Sequence, residues 1–229
     1  MSAKDKVILA LDLPQTEGDE LLKVLEHELS WVKLGMSLFY EAGPDYLRKL
    51  KDEGYKVFLD LKLHDIPHQV ELACKNISKL GADMLTIHAS GGSDMIAAAK
   101  SGLEGSDTKL LCVSVLTSSD QEMLSSIGVT KELQRQVKDL SALSFAAGAD
   151  GMVCSAKEAA LIKELTNENY LIVTPGIRPA GSDNQDQKRV MTPDLAIKNG
   201  ATHLVIGRPI TQAKDPREAL AQIYESLSA

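Results

Sequence analysis

Short apolar runs rich in β-branched residues alternate with longer amphipathic segments along the whole chain, and this alternation limits the possible folds more than any other feature. The runs predict strands at Val7–Leu11, Trp31–Leu34, Lys56–Leu61, Met84–His88, Leu110–Leu116, Gly151–Cys154, Leu171–Thr174 and His203–Ile206. Near-continuous apolar character is expected of strands buried on both faces, as in a parallel sheet. Helical stripes fill the gaps. Leu21, Leu22, Leu25 and Leu29 form one, and Val70, Ala73, Cys74, Ile77 and Leu80 another. The stretches Leu80-Gly81-Ala82-Asp83, Ala147-Gly148-Ala149-Asp150 and Asn199-Gly200-Ala201-Thr202 each close a helix and open a strand. Their glycines suit the left-handed position just past a helix end.

Eight such βα units without a linker or low-complexity tract give either a closed barrel or a doubly wound sheet. No G-x-G-x-x-G follows the first strand, which weakens the dinucleotide-binding version of the open sheet. The reading adopted is a single-domain (β/α)8 TIM barrel over residues 1–229, a length that such a barrel uses as one catalytic domain.

The formal net charge of −7 argues against general binding to nucleic acid or an anionic membrane, which needs a basic face. It leaves room for an anionic small molecule, because a few local cations dominate one cleft. Cys74, Cys112 and Cys154 are odd in number and include no C-x-x-C pair, so reduced thiols are expected rather than disulfides or a zinc site. The start of the chain is too short in apolar residues for a secretory signal, and no run of about 18 apolar residues occurs. A cytoplasmic location is expected.

In a (β/α)8 barrel the chemistry sits at the C-terminal ends of the strands. The polar residues that close the apolar runs are Asp12, Lys33, Asp60 with Lys62, His88, Thr117, Thr174 and Arg208. Asp60 and Lys62 are two apart, so both are expected to face the barrel mouth while Leu59, Leu61 and Leu63 face the helices. Lys33 on the neighbouring strand would pair with them. A buried ion pair that only fixes register is the plainer alternative, but such pairs stabilise poorly. Pro67 can open the next helix at its first turn, leaving Asp65 on a short loop above the barrel. From there Asp65 can close over its own site or reach a neighbouring subunit.

Strand eight ends Ile206-Gly207-Arg208-Pro209-Ile210. Gly207 allows close backbone approach to an anion, and Arg208 offers a fork for phosphate. The connections after strands seven and eight commonly form the phosphate site of this fold. The polar, turn-rich stretch from Pro175 to Met191 reads as a binding loop, adding Arg178, Gln185, Gln187, Lys188 and Arg189 as candidate phosphate contacts. The histidines are less informative: His27 reads as solvated, His64 and His68 flank the charged run, His88 ends strand four, and His203 opens strand eight at the far end. No H-x-H or H-E-x-x-H spacing supports a metal site.

The run Asp60-x-Lys62-x-x-Asp65-Ile66-Pro67 resembles the signature of the orotidine 5′-monophosphate decarboxylases, in their bacterial form. Matching stretches span nearly the whole chain: Leu9-Ala10-Leu11-Asp12-Leu13, Val32-Lys33-Leu34-Gly35, Thr86-Ile87-His88-Ala89, Val115-Leu116-Thr117-Ser118, Thr174-Pro175-Gly176-Ile177-Arg178 and Ile206-Gly207-Arg208-Pro209-Ile210. The resemblance implies a lyase of pyrimidine biosynthesis that decarboxylates orotidine 5′-monophosphate without cofactor or metal. It implies a homodimer whose sites lie at the interface, each completed by the partner's Asp65. Lys33, Asp60, Lys62 and that Asp65 would form an alternating charge network, with Lys62 stabilising and protonating C6. Asp12 and Lys33 would hold the ribose, Thr117 the pyrimidine, and Gln187, Gly207 and Arg208 the phosphate, with Arg178 a further loop contact. Many relatives read Asn-Thr after Ile-Pro, whereas His68-Gln69 stands here, so the partner-chain ribose contact would fall to Gln69.

Two other readings compete with this one. A Mg²⁺-dependent sugar-phosphate lyase of the same suprafamily shares the D-x-K-x-x-D run but places a metal-binding Glu near the end of strand two, where Lys33 stands here. A non-catalytic phosphate-binding barrel would keep the phosphate grip without needing Asp60, Lys62 and Asp65 together.

Overall fold

The computed structural model describes residues 2–179 and 189–228. Eight parallel strands close into one barrel in sequence order: β1 (Val7–Ala10), β2 (Trp31–Gly35), β3 (Lys56–Leu63), β4 (Met84–His88), β5 (Lys109–Val113), β6 (Gly151–Val153), β7 (Leu171–Thr174) and β8 (His203–Ile206). Closure comes from β1 pairing with β8, Val7 opposite Leu204. The open doubly wound sheet is thereby excluded.

Alternation along the strands divides the core in two. Ile8, Trp31, Phe58, Met84, Leu111 and Val205 belong to the cluster inside the barrel. Leu9, Val32, Leu59, Leu61, Leu85 and Ile206 point outward into the larger layer between strands and helices. Gly151 shows how tight this inner packing is, since a Cβ there would lie 2.5 Å from both Leu111 Cδ2 and the Leu171 carbonyl. The expected helix-end glycines Gly81, Gly148 and Gly200 all adopt positive φ, at 78°, 90° and 105°.

Two strand expectations need correction. The apolar run Leu110–Leu116 is not one strand: β5 ends at Val113, and the Ser119 amide bonds back to the Leu116 carbonyl as the chain turns at the mouth. On β3 the strand continues past Leu61 to Leu63, but not with regular pleating. Leu59 to Leu63 spans four steps where its partner on β4, Leu85 to Ile87, spans two. The surplus is absorbed in a bulge, and Lys62 there has φ 50°, a left-handed conformation rare for a side-chain-bearing residue.

The three cysteines are free and buried, as expected, with burial pushing the Cys74 and Cys112 thiols up to about 12. Among the described residues no helix is long and apolar enough to cross a membrane.

Candidate active site

The barrel register sets the height of each mouth residue. Ala10, Lys33 and Phe58 lie level, and Gly35 pairs with Asp60 one layer higher. Lys33 therefore starts below the carboxylates and runs its long stem upward, ending with Nζ 2.8 Å from Asp12 Oδ1 and 3.6 Å from Asp60 Oδ2. Gly35 makes that path possible. A Cβ on it would fall 2.9 Å from both Lys33 Nζ and Asp12 Oδ1.

Asp60 Oδ2 also accepts a 2.7 Å bond from Lys62 Nζ. Four side chains thus alternate in sign across three adjacent strand ends: Asp12, Lys33, Asp60 and Lys62. Asp60 is 7% exposed, and burial alone would raise its pKa. The Lys33 and Lys62 ammoniums, with hydrogen bonds from Lys62 and Thr86, overcome that cost and hold the carboxyl below its ordinary value.

Thr86 was not anticipated, and it organises the bulge. Fully buried on β4, its hydroxyl donates to Asp60 Oδ1 at 2.9 Å and accepts the Lys62 amide N–H at 2.9 Å. One side chain orients the carboxylate and satisfies a backbone donor at the irregular part of the ladder. Asp60 and Lys62 do share the mouth, as their spacing predicts, but the bulge and Thr86 set their geometry. His88 lies behind them. Burial lowers its pKa, helped by His64, whose ring centroid is 5.5 Å away, and by Lys62.

Above this floor opens a cavity of about 520 Å³. Asp12, Lys33, Asp60 and Lys62 line one side, Thr117 borders it from the β5 connection, and Arg178, Gly207 and Arg208 border it from the β7 and β8 connections. Of the site residues that the family resemblance implies, all border it except Asp65, Gln69 and Gln187. Asp65 and Gln69 are exposed and do not border this cavity. The Asp65 carboxylate accepts its own chain's Ile66 amide at 2.6 Å. Gln187 lies outside the described residues, as do Gln185 and Lys188.

Arg189 is a correction. Expected as a phosphate contact, it is not among the residues that line the cavity; it pairs with the buried Glu158 and donates to the Val115 and Leu116 carbonyls at 3.0 and 2.9 Å. Nothing in the sequence near Arg189 distinguishes it from the other cations of this connection or announces a buried partner on another strand end. His203 is structural, as expected. It packs edge-on against Trp31 at the far end of the barrel, and its Nδ1 lies 3.0 Å from Thr202 Oγ1.

Comparison with known proteins gives one consistent result. Residues 5–223 match the model of the family described as "Orotidine 5'-phosphate decarboxylase / HUMPS family". The chain is 45% identical over 227 residues to an orotidine 5'-phosphate decarboxylase of Staphylococcus haemolyticus, covering 97% of this chain and 98% of that one. It is 47% identical over 223 residues to one of Ligilactobacillus salivarius, covering 94% of each. The crystal structure of orotidine 5'-phosphate decarboxylase from Lactobacillus acidophilus superposes with a TM-score of 0.86 at 41% identity, covering 98% of this chain and 100% of that one.

Proposed function

The chain belongs to the orotidine 5'-phosphate decarboxylase / HUMPS family, and from that premise we propose that it converts orotidine 5′-monophosphate to uridine 5′-monophosphate without metal or organic cofactor. It is a carboxy-lyase. The observation that carries the mechanistic reading is the Asp12–Lys33–Asp60–Lys62 chain of alternating charges on one side of the cavity. At about 520 Å³ that cavity suits a nucleotide, since small-molecule sites run about 300–1,000 Å³.

When the bond from C6 to the carboxylate breaks, CO2 leaves and the electron pair stays on a vinylic carbon. No carbonyl is placed to accept that pair as an enolate, so the protein must stabilise it electrostatically. Lys62, fixed by Asp60, brings an ammonium to C6 and then passes it a proton, forming the C–H bond of the product. Solvent returns the proton to Lys62. Asp12 and Lys33 hold the ribose hydroxyls, Thr117 the pyrimidine, and Gly207, Arg208, Arg178 and Gln187 the phosphate end. The phosphate grip is remote from C6, so its binding energy positions the base without taking part in the bond change.

The active unit in this reading is a homodimer. Asp65 of the partner subunit completes the network beside Lys62, and Gln69 of the partner subunit meets the ribose. Two observations support this. The loop carrying Asp65 is exposed at the C-terminal end of β3, and large apolar side chains are exposed on it and on the helix that follows β2: Ile66 at 63% on the loop, Tyr40 at 76% and Met36 at 45% on the helix. Such a surface suits a self-complementary contact.

The family description also covers HUMPS proteins, so a Mg²⁺-dependent sugar-phosphate lyase is the second reading. Lys33 disfavours it, because its ammonium stands between Asp12 and Asp60 where a divalent cation on those carboxylates would meet a like charge. EDTA-treated protein should turn orotidine 5′-monophosphate into uridine 5′-monophosphate and CO2 at the untreated rate. Loss of activity restored by Mg²⁺, or turnover of a keto-sugar phosphate alone, would reverse the choice.

A further inference from the structure

Glu158 and Arg189 form a deeply buried ion pair that the proposed chemistry does not use. Their side chains are only 5% and 11% exposed. Glu158 lies on the connection after β6, where its Oε2 also accepts the Ser155 amide at 3.0 Å. Arg189 lies on the connection after β7, and its Nη2 reaches the Val115 and Leu116 carbonyls after β5. One guanidinium thus ties together three consecutive strand ends on the side of the mouth opposite Lys62.

The segment holding Arg189 is also fastened to its own outgoing limb. The Arg178 amide donates to the Met191 carbonyl at 3.0 Å, and Ile177 and Met191 form an isolated bridge. Arg178 lines the cavity from that limb. Thr117, which follows the two carbonyls that Arg189 holds, lines it from the β5 connection. A buried ion pair contributes little net stability once desolvation is counted. Burial indeed pushes the Glu158 carboxyl upward despite the opposing effect of Arg189.

We propose that Arg189 and Glu158 are positioning residues that lock the Thr117 side of the mouth to the Arg178 side, so that the base end and the phosphate end of one nucleotide are held in a single geometry. This rests on the proposed decarboxylation and adds to it a device that touches no substrate atom. A nucleoside that lacks the phosphate uses only one side of the lock, so it should be indifferent to it.

The test compares orotidine 5′-monophosphate with phosphate-free orotidine on the wild-type dimer and on Arg189→Ala. For the nucleotide, kcat/KM should fall about 10- to 100-fold, chiefly through KM, as expected when a contact is displaced by about 1 Å. For orotidine it should change by less than about threefold, because only the base-side contact remains in play. Glu158→Ala added to Arg189→Ala should cost nothing further, since the two act as one unit. Arg189→Lys should recover part of the loss by pairing with Glu158 while missing one carbonyl. If Arg189→Ala does not fold, Arg189→Met with Glu158→Leu replaces the pair by apolar side chains and carries the same expectation. Unchanged kcat/KM for the nucleotide, or an equal fall for both substrates, overturns the inference. A wild-type protein inert toward orotidine 5′-monophosphate overturns instead the proposed function beneath it.

Discussion

Replacing Thr86 by Val keeps the shape of a fully buried side chain and deletes one hydroxyl that serves two partners. The bond from Thr86 to the Asp60 carboxylate has a charged acceptor, for which about 1.5–3 kcal/mol is usual. The second bond, from the Lys62 amide, is worth roughly 1 kcal/mol and leaves an unpaired donor when lost. That donor belongs to a residue at φ 50°, a conformation that costs about 1–2 kcal/mol and persists only where surroundings enforce it. The sum is on the order of 3 kcal/mol, divided between the fold and the site. If about half reaches the site, kcat falls about tenfold, at 1.4 kcal/mol per decade. The rest lowers Tm by roughly 3–6 °C for a chain of this size. KM should hardly move, because Thr86 does not border the cavity. Thr86→Ser keeps the hydroxyl and should restore kcat. Following loss of orotidine 5′-monophosphate absorbance and thermal unfolding for both variants decides the matter. A Thr86→Val enzyme with wild-type kcat and a lowered Tm would show that the hydroxyl braces the barrel without orienting Asp60 or Lys62.

Three further outcomes are expected. Mixing inactive Lys62→Ala with inactive Asp65→Ala should regain activity, because one site of each mixed dimer then combines a native Lys62 with a native partner Asp65; no recovery would place Asp65 in its own chain's site. Gly35→Ala should cut kcat/KM about tenfold by pushing Lys33 and Asp12 aside, yet cost under about 1 kcal/mol of stability, since both clashing atoms end flexible side chains; a large stability loss in urea unfolding with intact kcat/KM would contradict this. Burial, aided by Lys56, lowers the His203 pKa to about 4 from an ordinary 6.5, so between those values the unfolded chain binds a proton that the folded one does not. Stability is then full above pH 6.5 and declines by roughly 3 kcal/mol as pH falls toward 4. Urea unfolding should show His203→Gln with a flatter decline, and an unchanged slope would remove His203 as the cause.

The barrel was legible because its strands are buried on both faces and leave uninterrupted apolar runs, and Gly81, Gly148 and Gly200 mark the helix ends. Asp60, Lys62, Lys33 and Arg208 stood out because charge at the end of such a run is costly unless used. What the sequence concealed has a common origin. A threonine within Met84-Leu85-Thr86-Ile87-His88 looks like an ordinary strand former, and only the extra residues of the β3 bulge give its hydroxyl two partners. Val115 and Leu116 extend the apolar run past the end of β5, so pattern alone does not mark the turn there, although Leu116 is exposed. Arg189 looked like its neighbouring cations because its partner Glu158 is 31 residues distant along the chain. Thr86 and Arg189 act through contacts between strand ends, which periodicity along one segment does not encode.

The most direct test is a crystal structure with a C6-substituted uridine 5′-monophosphate bound in the cavity. Lys62 Nζ should lie about 3 Å from the C6 substituent, in hydrogen-bond range, with Asp60 still holding the ammonium. A Lys62 side chain turned out of reach of C6, with another group against that carbon, would contradict it.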